Sequence, residues 1–143
     1  VGALGAGLSF LQGVAQAHSE RNLVSVWKTP NCGCCKAWIT HLQAEGFKVM
    51  AVDVPDTAPI RKDMNMPARL GSCHTAVVED YVIEGHVPAE AIRQLLTDRP
   101  DAAGLALPGM PGDAPGMGGD ATSWNGQPVV LVQRDGSLTA FSY

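Results

Sequence analysis

Residues 23–35 read LVSVWKTPNCGCC and place three cysteines where a strand passes into a helix. The β-branched and apolar run at 23–27 predicts a buried strand. A proline then interrupts the strand, and Asn31 or Cys32 stands where a helix cap is needed. Apolar residues at helical spacing follow, and Gly46 is typical of a helix end. This stretch therefore predicts a strand, a short turn and a cysteine-bearing helix.

The position of the cysteines predicts their reactivity. Cys34 and Cys35 fall in the first turn of the predicted helix. Unpaired backbone N–H groups and the helix dipole favour negative charge there, so a thiolate is favoured over a thiol. Both nucleophilic attack and metal ligation need a thiolate. The motif thus indicates reactive cysteines without deciding between these two uses.

Composition limits the classes of function. The chain has 143 residues, of which 45% are hydrophobic, and it carries 10 basic against 14 acidic side chains. This length suits one ordinary domain with an extension, and the apolar content is enough for a core. The acidic balance and the lack of a basic stripe argue against binding to nucleic acid.

The first 17 residues carry no charge and end in Ala15-Gln16-Ala17. Small residues at this spacing after an apolar run are typical of the end of a secretory signal peptide, with cleavage before His18. The alternative is an uncleaved N-terminal helix or membrane anchor, which the glycines in this stretch disfavour. Export would place the cysteines in an oxidising compartment.

The remaining pattern predicts an α/β fold. Further elements are expected at 47–54 (a buried parallel strand), 57–66 (a helix), 75–78 and 81–83 (paired strands) and 88–99 (a helix). The order strand–helix–strand–helix–strand–strand–helix is thioredoxin-like, with a mixed sheet and helices on both faces. We therefore expect a signal remnant at 1–17, a thioredoxin-like domain at 18–100 and an extension at 101–143.

The extension has a different composition. Residues 105–119 are rich in glycine and proline, so we expect a loop without regular structure there. Residues 129–132 and 138–141 predict a closing β-hairpin. We expect the extension to fold over the cysteines.

The predicted topology brings distant cysteines together. It places Cys73 against the start of the first helix, near Cys32, Cys34 and Cys35. A Cys34–Cys35 bridge would be strained, whereas Cys32–Cys35 is sterically easy. The alternatives are two structural disulfides, one disulfide with two idle thiols, or a shared metal site. Four thiolates suit zinc, but adjacent cysteines suit bridging sulfur, more than one ion and soft Cu(I).

Methionines and histidines are further ligand candidates. Met110 and Met117 lie in the Gly/Pro loop, which offers them no helix or strand face to bury, and a thioether suits Cu(I). Met64 is expected in the core, and Met66 is left open. His74 and His86 are candidate nitrogen ligands. Two other side chains are expected to have no ligand role: His41, predicted to be exposed, and Trp38, predicted to be core.

Four motifs resemble one family of small exported copper-resistance proteins of Gram-negative bacteria, the CopG-like family. They are TPNCGCC at 29–35, SCHTA at 72–76, EGHVPA at 84–89 and GLALPGMP at 104–111. The resemblance implies a thioredoxin-like domain whose C-terminal extension helps to hold copper. It also implies a role in periplasmic copper handling, with interconversion of Cu(I) and Cu(II).

The leading hypothesis is a periplasmic copper-binding redox protein that acts as a monomer and holds more than one copper ion. A copper efflux system is the candidate partner. The expected copper ligands are Cys32, Cys34, Cys35, Cys73, His74, His86, Met110 and Met117. One alternative is a thiol–disulfide oxidoreductase in which Cys32 attacks and Cys35 resolves. Another is a passive copper store or chaperone.

Overall fold

The computed structural model describes residues 22–119 and 121–143. The predicted signal remnant at 1–17 and its cleavage point before His18 lie outside the described residues. Within the described part of the chain, no helix is both long and apolar enough to cross a bilayer.

The fold is mixed α/β, as predicted, and the described residues form a seven-stranded sheet. The strands are β1 (Leu23–Lys28), β2 (Lys48–Asp53), β3 (His74–Val78), β4 (Tyr81–Glu84), β5 (Gly104–Ala106), β6 (Val130–Val132) and β7 (Leu138–Ala140). The helices are α1 (Gly33–Ala44), α2 (Ala58–Asp63), α3 (Ala89–Asp98) and α4 (Ala121–Trp124), with a 3₁₀ turn at Ala68–Leu70. The strand order is β2-β1-β3-β4-β5-β6-β7. The β1–β2 and β4–β5 pairs are parallel and the other pairs are antiparallel.

Helices cover both faces of the sheet. Neighbouring residues of one strand therefore contribute to different hydrophobic cores. Ile83 of β4 belongs to the main core, which also contains Trp38 of α1 and Ile92 of α3. The adjacent Val82 belongs to a smaller core with Met66, which follows α2. The alternation is the two-residue period of a strand, and it places α1 and α3 opposite α2.

The predicted burial of β2 is wrong. The strand forms, but five of its six residues are exposed, including Met50 at 54% and Val52 at 41%. Among residues 22–119 and 121–143, β2 lies at the edge of the sheet and pairs only with β1. An apolar run is typical of a central parallel strand. Whether a strand is central depends on the order of the strands in the sheet, which the periodicity of the sequence does not give.

The expectation of no regular structure at 105–119 is also wrong at its start. Leu105 and Ala106 belong to β5, which pairs with β4 and carries the sheet on into the predicted hairpin of β6 and β7. Gly104 permits this pairing, because a Cβ there would lie 1.8 Å from the carbonyl oxygen of Val82. A three-residue strand beside glycines and prolines is too short to show the alternation of apolar and polar residues that identifies a strand.

Candidate metal centre

Four cysteine sulfurs meet at the start of α1. Cys32 caps the helix, and its Sγ accepts a hydrogen bond from the backbone N–H of Cys35 at 3.3 Å. Cys32 and Cys35 form a disulfide with a Cα–Cα distance of 5.3 Å, whereas Cys34 and Cys73 are free thiols. The Sγ of Cys34 lies 3.6 Å from Cys32 Sγ and 3.6 Å from Cys73 Sγ. The predicted convergence of these cysteines is therefore observed, with Cys34 between the disulfide and Cys73.

Two imidazoles adjoin this cluster through Cys73. The Sγ of Cys73 lies 3.4 Å from His74 Nδ1 and 3.3 Å from His86 Nε2. The other nitrogen of each ring contacts a backbone carbonyl: His74 Nε2 donates to Gly85 O at 2.9 Å, and His86 Nδ1 donates to Pro115 O at 2.5 Å. A carbonyl oxygen only accepts, so these bonds fix both tautomers. The ring nitrogens that face Cys73 therefore carry lone pairs when the imidazoles are neutral.

Burial keeps this group of side chains uncharged. Removal from water, followed by the nearby Cys34 side chain, raises the pKa of Cys73 to about 12. Burial, followed by the charge of His86, lowers the pKa of His74 to about 3, and burial also lowers the pKa of His86. At neutral pH Cys73 is a protonated thiol between two neutral imidazoles. A metal ion that binds here must displace the thiol proton, so binding strengthens as pH rises.

A buried ion pair holds the backbone on the N-terminal side of Cys73. The carboxylate of Glu84, which is fully buried, accepts from Ser72 N at 2.8 Å, Ser72 Oγ at 2.9 Å, Arg61 Nε at 3.0 Å and Thr75 Oγ1 at 2.7 Å. Arg61 also donates to Ser72 O at 3.0 Å. Both polar groups of the Ser72 backbone are therefore held. Sequence analysis missed this network, although a glutamate at the end of an apolar strand is a signal for a buried partner.

Two aromatic side chains of α1 connect it to neighbouring elements. Trp38 is fully buried, as predicted, and its ring stacks on His74 with centroids 4.2 Å apart. The prediction that His41 is exposed is wrong, because its Nε2 accepts a hydrogen bond from Ala89 N at 3.0 Å and the residue is 9% exposed. Pro88 caps α3 but offers no side-chain acceptor, so His41 supplies one to the first turn of that helix.

The C-terminal extension lies close against the cysteine helix at Gly116. A Cβ on Gly116 would lie 2.7 Å from Trp38 N, 2.9 Å from Cys34 O and 3.1 Å from His86 Nδ1. Gly116 also has a φ of +85°, which favours glycine. Together with the Pro115–His86 bond, this contact joins the loop to both the helix start and an imidazole.

The methionines lie in different environments. Met66 is 3% exposed in the smaller core, and Met64 packs against the same core. Met117 packs against the main core and lines a cleft with His41 and Trp124. Met110 is half-buried with a φ of 45° in the loop before Gly116. Ligation by either loop methionine stays a prediction.

The Gly116 contact predicts the effect of one substitution. Gly116→Ala should lower the free energy of unfolding by more than about 1 kcal/mol, because the methyl group and the left-handed φ both oppose the native loop. Denaturant unfolding followed by tryptophan fluorescence measures this loss. Gly112→Ala is the matched control in the same loop, since a Cβ there has no atom within 4 Å. Equal stability of the two variants would show that the loop is not held against α1.

Comparison with known proteins places the chain in a family. Two solved structures described as copper resistance protein CopG, Form 1 and Form 2, are each 40% identical to it. The alignments cover 82% of this chain and 93% and 94% of those chains, with a TM-score of 0.73 in both cases. The chain belongs to the CopG family. The resemblance inferred from the four motifs is thereby confirmed.

A family model matches one part of the chain. Residues 70–117 match a family described as a protein of unknown function, DUF411. No curated protein matches the chain. The matched region contains Cys73, His74 and His86, whereas Cys32–Cys35 of this CopG-family chain lie before it. The candidate centre is thus assembled from the DUF411 region and a separate cysteine helix.

Proposed function

We propose that this CopG-family chain is a periplasmic copper-binding protein whose cargo is held by the cysteine cluster, with Cu(I) and Cu(II) as the two states handled. The observation that carries the proposal is the position of Cys34, whose sulfur lies 3.6 Å from both Cys32 Sγ and Cys73 Sγ. Sulfurs at this spacing can share ions, and thiolates are the ligands that Cu(I) prefers. The names of the two related structures, copper resistance protein, support copper as the metal.

The disulfide determines how many donors the cluster offers. Cys32 and Cys35 cannot act as thiolates while they are bonded to each other. Reduction of the bond by an external dithiol, which gives up two electrons and two protons and becomes a disulfide, yields two further thiols beside Cys34 and Cys73. We assign Cys32 and Cys35 as the redox pair and all four cysteines as copper ligands in the reduced state. His74 and His86 add nitrogen donors, which stabilise Cu(II) better than sulfur does.

The proposal also assigns a role to each segment of the chain. Residues 1–17 would export the chain, and residues 18–100 would form the thioredoxin-like domain that carries the cysteines. Residues 101–143 would cover the centre, and the contacts of Pro115 and Gly116 with His86 and α1 support this role. We propose Met110 and Met117 as weak, neutral thioether ligands or as a shield, and a copper efflux system as the recipient of the ions.

The proposal predicts a redox-dependent copper content. Fully reduced protein, loaded with Cu(I) under anaerobic conditions and freed of weakly bound metal, should retain more than one copper ion per chain by elemental analysis. Protein with the disulfide closed should retain fewer, because two sulfur donors are lost. The same measurement with zinc in competition tests selectivity. Less than one copper per reduced chain, together with tightly bound zinc, would refute the proposal.

A thiol–disulfide oxidoreductase is the second candidate, and the Cys32–Cys35 disulfide favours it. An insulin reduction assay on metal-free protein separates the two functions. Activity that survives loss of Cys34 and Cys73 would support the oxidoreductase, since neither residue belongs to the disulfide. Passive storage is distinguished from redox turnover by voltammetry of the copper-loaded protein, in which a passive store would show no reversible wave.

A further inference from the structure

Two imidazole nitrogens face the sulfur of Cys73, and its thiol has one proton to donate to them. The carbonyls of Gly85 and Pro115 hold the ring protons of His74 and His86 on the sides away from the sulfur. The lone pairs of His74 Nδ1 and His86 Nε2 therefore both face Cys73 Sγ. A thiol has one proton and can donate it to one of these nitrogens at a time. Both histidines are fully buried, so the remaining lone pair is left unsatisfied at a cost, and a cation would satisfy it.

The spacing of the three donors suits a single metal ion. Bonds of about 2.3 Å to sulfur and about 2.0 Å to nitrogen, as in tetrahedral zinc sites, place the two donors about 3.5 Å apart. The observed distances from Cys73 Sγ to the two nitrogens are 3.3 and 3.4 Å. All three donor atoms lie within 4.8 Å of one another. Small side-chain shifts would therefore form the site.

This triad is independent of the disulfide. Cys32 and Cys35 are bonded to each other, whereas Cys73, His74 and His86 form a metal-competent group without either of them. We propose that Cys73, His74 and His86 form a separate copper site that stays available while the Cys32–Cys35 disulfide is closed. The choice of copper rests on the proposed function, whereas the donor set itself does not.

The proposal gives the disulfide a regulatory role. With the bond closed, the chain would hold one copper ion on two imidazoles and one thiolate, a donor set known to accept Cu(II). With the bond open, two further thiolates would extend the site towards Cys34 into a sulfur-rich centre suited to Cu(I). The state of the pair would then decide both the number of ions and the oxidation state that is favoured.

A variant with one cysteine isolates the triad. Cys32→Ser, Cys34→Ser and Cys35→Ser together leave Cys73 as the only thiol and prevent internal disulfide formation. Titrated with Cu(II), this protein should bind one ion per chain, show an intense visible thiolate-to-Cu(II) absorption, and give nitrogen couplings from two imidazoles in its electron paramagnetic resonance spectrum. Adding His86→Gln should lower the copper affinity at least tenfold and remove one nitrogen coupling. Adding His41→Gln, the matched control, should change neither.

Two measurements on wild-type protein test the histidine tautomers and the copper site directly. In metal-free wild-type protein, ¹⁵N chemical shifts should show the proton on Nε2 of His74 and on Nδ1 of His86, which requires no metal. Wild-type protein with its disulfide closed should also bind one Cu(II) ion with two nitrogen ligands. The opposite tautomers, or no Cu(II) bound by closed-disulfide protein whose reduced form does bind copper, would overturn this inference and leave the proposed function standing. Failure of the reduced protein to bind copper would refute the proposed function itself.

Discussion

Cys34→Ser should abolish binding of more than one copper ion while leaving the fold intact. The Sγ of Cys34 is the sulfur that lies 3.6 Å from both Cys32 and Cys73, so its removal separates the redox pair from the histidine-bound cysteine. A serine hydroxyl is a hard, protonated donor and does not replace a bridging thiolate for Cu(I). Cys34 is half-buried, free and absent from both hydrophobic cores, so stability should change little. Elemental analysis of anaerobically loaded protein, beside a denaturant unfolding curve, measures both quantities.

Met110→Ala is the matched comparison for this experiment. A loop thioether is one neutral ligand among several charged thiolates, so only a modest loss of copper is expected. Equal losses in the two variants would make the loop a primary donor. Undiminished copper in Cys34→Ser would rule out a cluster bridged at this position, and the two halves of the site would then have to act separately.

Glu84→Ala should lower the free energy of unfolding by about 3–5 kcal/mol, which is the usual effect of removing one partner of a buried ion pair. Glu84 is fully buried, and the Arg61 side chain is 9% exposed. Loss of the carboxylate leaves the guanidinium without its countercharge and deprives Ser72 and Thr75 of an acceptor. The midpoint of urea unfolding should fall at an unchanged slope if the native surface is unaltered.

An exposed pair provides the control for this stability loss. Arg134 and Asp101 form an ion pair with side chains that are 71% and 88% exposed, so Arg134→Ala should leave the midpoint almost unchanged. Replacing both buried charges, as Arg61→Met with Glu84→Leu, should restore part of the stability lost in Glu84→Ala. A midpoint for Glu84→Ala that matches the Arg134→Ala control would show that the network does not stabilise the fold.

Sequence patterns predicted those features that depend on residues within one short segment. The strand, cap and helix at 23–44 follow from apolar residues, a proline and helical spacing, and the structure has them as β1, Cys32 and α1. The pair Cys32 and Cys35 was likewise accessible from spacing alone, since adjacent cysteines cannot bridge easily. The approach of Cys73 followed from the order of the elements. These features depend on near neighbours or on a recurring topology.

Other features depended on which groups met across the fold. The sequence does not reveal the burial of His41, because it depends on α3, whose cap lacks a side-chain acceptor and whose Ala89 N–H donates to His41 Nε2. The apolar pattern of β2 could not distinguish an edge from a centre, because that depends on whether another strand pairs beyond it. Glu84 pairs with Arg61, which lies 23 residues earlier in the chain. The charge of a residue does not predict its partner at that separation.

The amino-acid sequence by itself determined the mixed α/β fold, the cysteine-bearing helix and the candidate ligands, since each follows from residue type, short-range spacing and a recurring order of elements. Only the tertiary structure decided that Gly85 and Pro115 hold the ring protons of His74 and His86 away from Cys73. Those carbonyls come from a turn and from the C-terminal extension, and a tautomer depends on the partner of the opposite nitrogen. The direction in which each imidazole presents its lone pair is therefore a property of the fold, because it is set by backbone atoms that carry no sequence signal.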